Sequence, residues 1–265
     1  MKTLTITIFY LILSISVISQ QEFVIESGYL VEPDTIWVFT PENSDKNHPL
    51  PLIYLLHGWS GNYHQWDDMI DCQNYANEYN AIIVCPDGMY DSWYINSPAP
   101  NENDYATFFS WELAPLISQN FNVNNDSIFI TGFSMGGHGA LYLFEIFTTY
   151  FQGAGSLSGL LDLRNWTDHY GLSRILGLSE SDDKENVLAY YSVLDNGDKL
   201  INSGKEIIVS CGTEDAFYGT NIQFIKFCKE NQIDVKFIST KGKHNAAYWR
   251  SAVVTHFDFF LSKQQ

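Results

Sequence analysis

Four strand-like runs punctuate this chain, each followed by a polar or glycine-rich turn. They are the continuously apolar Leu52–Leu56 and Ala81–Cys85, the β-branched and aromatic Ile128–Thr131, and Lys205–Cys211, whose centre Ile207–Val209 is apolar. Runs of this length with no polar alternation predict strands buried on both faces, as in a parallel sheet. Between them the period changes to that of a helix: Trp66–Glu78, Asp104–Phe121 (Phe108, Phe109, Leu113, Leu116 and Ile117 apolar, Asn103 or Asp104 as cap), Thr220–Asn231 and Ala246–Leu261. Short strands are expected at Gly153–Ser158 and Val235–Ser239. Two more, Phe23–Val31 and Thr35–Phe39, flank the turn signal Glu32-Pro33-Asp34 and predict an opening antiparallel hairpin. Strands alternating with helices predict an α/β fold: a mainly parallel central sheet with antiparallel N-terminal strands and helices on both faces.

Two stretches lack clear periodicity. Met89–Asn103 carries Trp93, Tyr94, Pro98 and Pro100 and is expected to loop over the edge of the sheet. Gly159–Asn202 mixes short helical runs, Leu172–Leu178 and Asn186–Leu194, with acidic turns. It is too long for an ordinary connection and is expected to be an insertion forming part of the rim of a site.

Met1–Ser19 has one basic residue, Lys2, then the apolar stretch Leu4–Ile18 and a small residue, the pattern of a secretory leader. The expected organisation is therefore a leader over 1–19 and a single domain over 20–265, in a secreted or periplasmic protein without stable membrane association once the leader is removed. The competing reading, a membrane anchor, suffers from a short apolar stretch with no basic cluster after it. The chain has 14 basic and 31 acidic residues, a net charge of −17, which argues against nucleic acid and anionic lipid as partners. The four cysteines, Cys72, Cys85, Cys211 and Cys228, are as compatible with buried thiols as with two bridges. No Cys-x-x-Cys or His-Glu-x-x-His occurs, and no metal or cofactor is called for.

The chemistry concentrates at Gly132-Phe133-Ser134-Met135-Gly136, between the strand Ile128–Thr131 and the apolar run Ala140–Phe147. A Gly-x-Ser-x-Gly turn between strand and helix lifts the serine above the sheet and leaves the next N–H, that of Met135, at a helix start facing any negative charge formed there. A nucleophilic serine needs an imidazole base, and the imidazole needs a carboxylate. In this arrangement both follow the serine, the acid first. His244, in a glycine-containing loop after a strand, is the candidate base in preference to His138, His169 and His256. Asp215, after the strand Lys205–Cys211, is the candidate acid, with Glu214 beside it as the alternative. The second oxyanion donor is expected from the loop His57-Gly58-Trp59, at the Trp59 N–H, with His57 itself structural.

Four blocks, Leu55–Trp59, Gly132–Ala140, Cys211–Asp215 and His244 with Tyr248-Trp249, together resemble the putative-esterase family of α/β-hydrolases. That family includes S-formylglutathione hydrolases, tributyrin, feruloyl and acetylxylan esterases and the antigen 85 mycolyltransferases. The resemblance implies the α/β-hydrolase fold, Ser134, Asp215 and His244 as a triad, and the Trp59 and Met135 amides as oxyanion hole. It also implies substrate contacts at Trp93 and Tyr94. In several relatives a tryptophan stands two places after the histidine, where this chain has Ala246, and Gly159–Asn202 matches poorly. The implied activity is hydrolysis of a small-molecule or glycan ester through an acyl-enzyme, without a cofactor. The alternatives are an S-formylglutathione-type thioesterase, an acyltransferase using the same residues, or a catalytically silent binding protein on this fold.

Overall fold

The computed structural model describes residues 19–44, 47–167, 169–180 and 182–262, so the expected leader falls almost wholly outside the described residues. The chain opens with β1 (Gln20–Ile25), β2 (Asp34–Phe39) and β3 (Leu50–Leu56), then α1 (Asp67–Ile70), α2 (Cys72–Tyr79) and β4 (Ile82–Pro86). There follow α3 (Tyr105–Phe108), one π-type turn (Phe109–Leu113), α4 (Ala114–Asn120), β5 (Val123–Gly132), α5 (Met135–Ile146) and β6 (Gly153–Leu157). The stretch expected as an insertion holds α6 (Leu172–Ile175), α7 (Lys184–Tyr191), α8 (Val193–Asn196) and a 3₁₀ turn (Gly197–Leu200). β7 (Glu206–Gly212), α9 (Tyr218–Glu230), β8 (Lys236–Thr240) and α10 (Ala246–Leu261) complete the chain.

Among the described residues the strands form one sheet in the order β1-β2-β4-β3-β5-β6-β7-β8. β1–β2 and β2–β4 run antiparallel and the other neighbours parallel. This is the α/β-hydrolase architecture. α1, α2 and α10 pack on one face, where Phe257, Phe260 and Leu261 bury beside Phe129 and Ile53. The remaining helices cover the other face, with α5 at its centre. Each such aliphatic or aromatic side chain stabilises the fold by about 2 kcal/mol on burial. Strand order reverses at β3, whose two neighbours β4 and β5 are reached by crossovers in opposite directions. A crevice opens beyond the carboxyl ends at such a point, which is where open α/β sheets hold ligands.

The expected elements occur with four local differences. The first strand, expected over Phe23–Val31, runs over Gln20–Ile25, and the chain turns before β2. The helix expected over Trp66–Glu78 breaks at Asp71, whose backbone is left-handed (φ 52°). The cause is side-chain competition for amides: Asp67 Oδ1 accepts from Cys72 N (2.8 Å) and Asp71 Oδ1 from Asn74 N (2.9 Å). The helix expected over Asp104–Phe121 contains the wide turn, in which Ala114 N donates to Phe109 O. Pro115 follows and has no N–H to continue the regular ladder at that point. The stretch 89–103 does not hang over the sheet edge. It crosses the carboxyl end of β3, where Tyr90 O accepts from Ser60 N (2.7 Å) and the Tyr94 hydroxyl donates to His57 O (3.0 Å).

Candidate active site

Ser134 has φ 57° and ψ −120°, a strained conformation for a residue with a side chain, costing on the order of 1–3 kcal/mol. The turn exists because its flanks are glycine. A Cβ at Gly132 would strike the Gly136 carbonyl, and one at Gly136 would strike the Leu56 carbonyl at the end of β3. α5 therefore starts at once, at Met135, and Ser134 stands at its N-terminal end.

His244 reaches the same point from the loop after β8, the edge strand of the sheet. It directly precedes Asn245, which caps α10 by accepting from Tyr248 N (3.1 Å). The loop carrying His244 is tied to the loop after β7: Thr213 N donates to Thr240 O and Glu214 N to Gly242 O, both at 2.9 Å. The approach is close, since a Cβ on Gly212 would meet the Gly242 backbone. His244 Nε2 lies 2.9 Å from Ser134 Oγ, and His244 Nδ1 lies 3.0 Å from each oxygen of Asp215. With Nδ1–H donating to a carboxylate, Nε2 is left as the acceptor for the serine O–H. Asp215 also accepts from Phe217 N (2.8 Å), and its side chain is closed to solvent, whereas His244 is partly open. Glu214 points outward to Lys241 (3.6 Å). The other histidines lie elsewhere. His138 is buried and hydrogen-bonds Tyr191 O (2.8 Å); burial pushes its pKa down to about 4. His256 is buried between Thr131 (2.9 Å) and Ser210 (3.0 Å), pushed down to about 3 by burial and by Lys236. His169 is exposed beside Trp166.

The Trp59 and Met135 amides make no hydrogen bond to the described residues. Trp59 is held by its neighbours: Gly58 N donates to Gln65 Oε1 (3.1 Å), and the His57 ring spans the loops after β3 and β4. His57 Nδ1 sits 2.8 Å from Gly58 O while Nε2 accepts from Gly88 N (2.7 Å), which fixes a neutral tautomer. That is the structural role expected for this residue.

Trp93 and Tyr94 are not on the substrate surface. Both are buried, with φ of 53° and 60°. The Trp93 indole donates to Tyr170 O (3.1 Å) and abuts His138, and Tyr94 fills the space left by Gly88 and Gly139. They support the wall from behind. The wall is made by side chains that periodicity did not flag: Trp59 between Tyr90 and Tyr170 (centroids 5.0 and 5.5 Å), and Trp166 against Phe217 (4.8 Å). Phe217 in turn meets the His244 ring at 4.6 Å. Tyr170 and Trp166 come from the 159–202 segment. On the other flank of His244, Trp249 lies 4.9 Å from the imidazole and stacks on Phe133 at 4.4 Å. An indole thus borders the histidine, from one helical turn beyond Ala246.

Comparison with known proteins shows the family. Residues 27–260 match the family described as "Putative esterase". Acetyl esterase from Caldicellulosiruptor saccharolyticus is 27% identical over 227 residues, 79% of this chain and 83% of that protein. FphF, the fluorophosphonate-binding serine hydrolase F of Staphylococcus aureus, in its substrate-bound structure, is 25% identical with a TM-score of 0.78, over 91% of this chain and 98% of that one. A ferulic acid esterase shares the fold, at 21% identity and a TM-score of 0.77 over 92% of this chain and 97% of that one.

Proposed function

The chain belongs to the esterase family and is a carboxylic ester hydrolase, and from that premise we propose that it works through an acyl-enzyme formed on Ser134. Ser134 Oγ attacks the ester carbonyl while His244 Nε2 takes its proton, and the N–H groups of Trp59 and Met135 donate to the oxyanion. The carbonyl re-forms as the bond to the alcohol breaks, and His244 returns the proton to the departing oxygen. Water then attacks the acyl-serine with His244 again as base, releasing the acid and restoring Ser134. Asp215 keeps the imidazole in the tautomer that leaves Nε2 free. Each oxyanion hydrogen bond lowers the barrier by about 3 kcal/mol in a site of this kind.

The observation that carries this reading is the continuous chain Ser134 Oγ to His244 Nε2 at 2.9 Å and His244 Nδ1 to Asp215 at 3.0 Å. A short acyl group fits the resemblance to an acetyl esterase, and the aromatic wall fits a sugar or phenolic ring elsewhere in the substrate. We read the protein as exported, because Leu4–Ile18 has the pattern of a leader and cleavage after Ser19 leaves β1 whole. The test is Ser134→Ala, which should abolish labelling by a fluorophosphonate and lower ester turnover by several orders of magnitude. Labelling that survives the substitution refutes Ser134 as nucleophile.

A further inference from the structure

An oxyanion is best stabilised by donors aimed at it before the charge develops, so what matters at Trp59 is the tilt of its peptide plane. That plane and the one before it are both pinned by side chains. In the Gly58–Trp59 peptide the Gly58 carbonyl accepts from His57 Nδ1 (2.8 Å) and from Gly61 N (3.0 Å). The N–H at the other end of that unit is the one assigned to the oxyanion. In the His57–Gly58 peptide the Gly58 N–H donates to Gln65 Oε1 (3.1 Å), and the His57 carbonyl accepts from the Tyr94 hydroxyl (3.0 Å). The C=O and N–H of a trans peptide point opposite ways, so Gln65 and Tyr94 hold one rigid unit by its two ends.

Tyr94 is itself firmly held. Its N–H donates to Ser92 Oγ (3.1 Å), and the Ser92 hydroxyl donates in turn to Gly88 O. Its ring is wholly buried and meets Tyr105 edge-on at 5.0 Å. Burial holds the phenol pKa well above its ordinary range, so the hydroxyl keeps its proton and remains a donor. The same ring reaches α5. A Cβ on Gly139 would strike Tyr94 Cδ2, and one on Gly136 would strike the carbonyls of Leu56 and His57. The His57 carbonyl therefore lies against the first turn of the helix that opens at Met135. One tyrosine thus touches both segments that carry the oxyanion donors, with its hydroxyl on one and its ring edge on the other.

We propose that Tyr94 and Gln65 are positioning residues for the oxyanion hole: together they fix the tilt of the His57–Gly58 peptide, and through it the direction of the Trp59 N–H. The proposal rests on the acyl-enzyme reading above and adds to it the groups that aim one of the two donors. Their contribution is felt as negative charge gathers on the carbonyl oxygen. It therefore enters kcat and leaves binding of the uncharged ester alone.

The test is Tyr94→Phe, which keeps the buried ring and removes only the hydroxyl, beside Gln65→Met, which keeps the side-chain length and removes the acceptor. Rates are divided by the fraction of sites that a fluorophosphonate labels at completion. Each variant should lower kcat for phenyl acetate about tenfold, less than the roughly hundredfold cost of losing a whole donor, with KM within a factor of about two. A trifluoromethyl ketone serves as the second readout. Ser134 Oγ bonds to its carbonyl carbon, the serine proton passes to His244, and the ketone oxygen becomes an oxyanion; its binding should weaken by about the same factor as kcat. Tyr54→Phe removes an equally buried phenol hydroxyl, paired with Tyr150 (3.0 Å) on β3, and should lower Tm while sparing kcat and ketone binding. If Tyr94→Phe and Gln65→Met behave like Tyr54→Phe, the two side chains only support the fold and the proposal is overturned. A higher KM at unchanged kcat overturns it too, since that places them on the bound ester. An unsubstituted protein that takes no label refutes the esterase reading and the proposal with it.

Discussion

Asp215 accepts two donors, the Phe217 amide and His244 Nδ1, and both bonds would be disturbed by replacing one oxygen with NH2. In Asp215→Asn the amide nitrogen can face Nδ1 only if that nitrogen is unprotonated, which moves the proton to Nε2 and removes the acceptor for Ser134. Turnover should fall by about four orders of magnitude with the fold retained, as read by ester hydrolysis beside circular dichroism. Glu214→Gln should leave turnover within a factor of about two, because its partner is the exposed Lys241 and such pairs contribute little. A steep loss in Glu214→Gln with Asp215→Asn active would reverse the assignment. Ser134, Asp215 and His244 could be picked out beforehand because each follows a strand end, where the sheet concentrates side chains. Tyr170 and Trp166 could not, since their contacts depend on how an aperiodic segment folds back. Trp93 and Tyr94 show the converse: their aromatic rings and loop setting suggested substrate contact, yet their left-handed backbone turns them inward.

Among the elements, α5 carries an unbalanced cost. Glu145 is buried on it, and among the described residues neither carboxylate oxygen has a hydrogen-bond partner. Burial holds its pKa well above the ordinary value of 4.5, against a smaller opposing pull from Lys199. The native state therefore keeps a proton that the unfolded chain releases above about pH 4.5, and stability from this group falls as pH rises through that window. Each unit costs at most about 1.4 kcal/mol. Glu145→Gln removes the titration, so its advantage in Tm over the unsubstituted protein should grow as pH rises above about 4.5. A constant difference would refute the buried, protonated carboxyl. His138 and His256 act in the opposite direction: with folded values of about 4 and about 3, they remove stability as pH falls from the imidazole range. The element boundaries that the pattern missed have local causes of the same polar kind. Asp67 and Asp71 break a helix whose apolar positions continue, and Pro115 widens a turn without altering which face is buried. Hydrophobic spacing reports faces, so it is blind to such breaks.

For the molecule as a whole, the 89–104 loop and the 159–202 segment form the upper wall, and what joins them is largely charge. Arg174 on α6 pairs with Asp91 (2.7 Å) and with Glu102, while Ser97 donates to Ile175 O and Trp93 to Tyr170 O. Arg174 is about half exposed, at 54% for its side chain, so dissolved ions reach the pair. Raising salt from about 0.1 M to about 1 M shortens the screening length from about 10 Å to about 3 Å. Tyr170, and through it the position of Trp59 and its amide, should then loosen. Turnover of an uncharged ester should therefore decline at high salt, and Arg174→Gln should be slower at low salt and nearly indifferent to further addition. Equal salt responses in the two proteins would rule this out. A hydrolase built in this way would carry a setting for brackish or fresh surroundings in a single arginine, far from the bond it cuts and blind to the substrate's own charge.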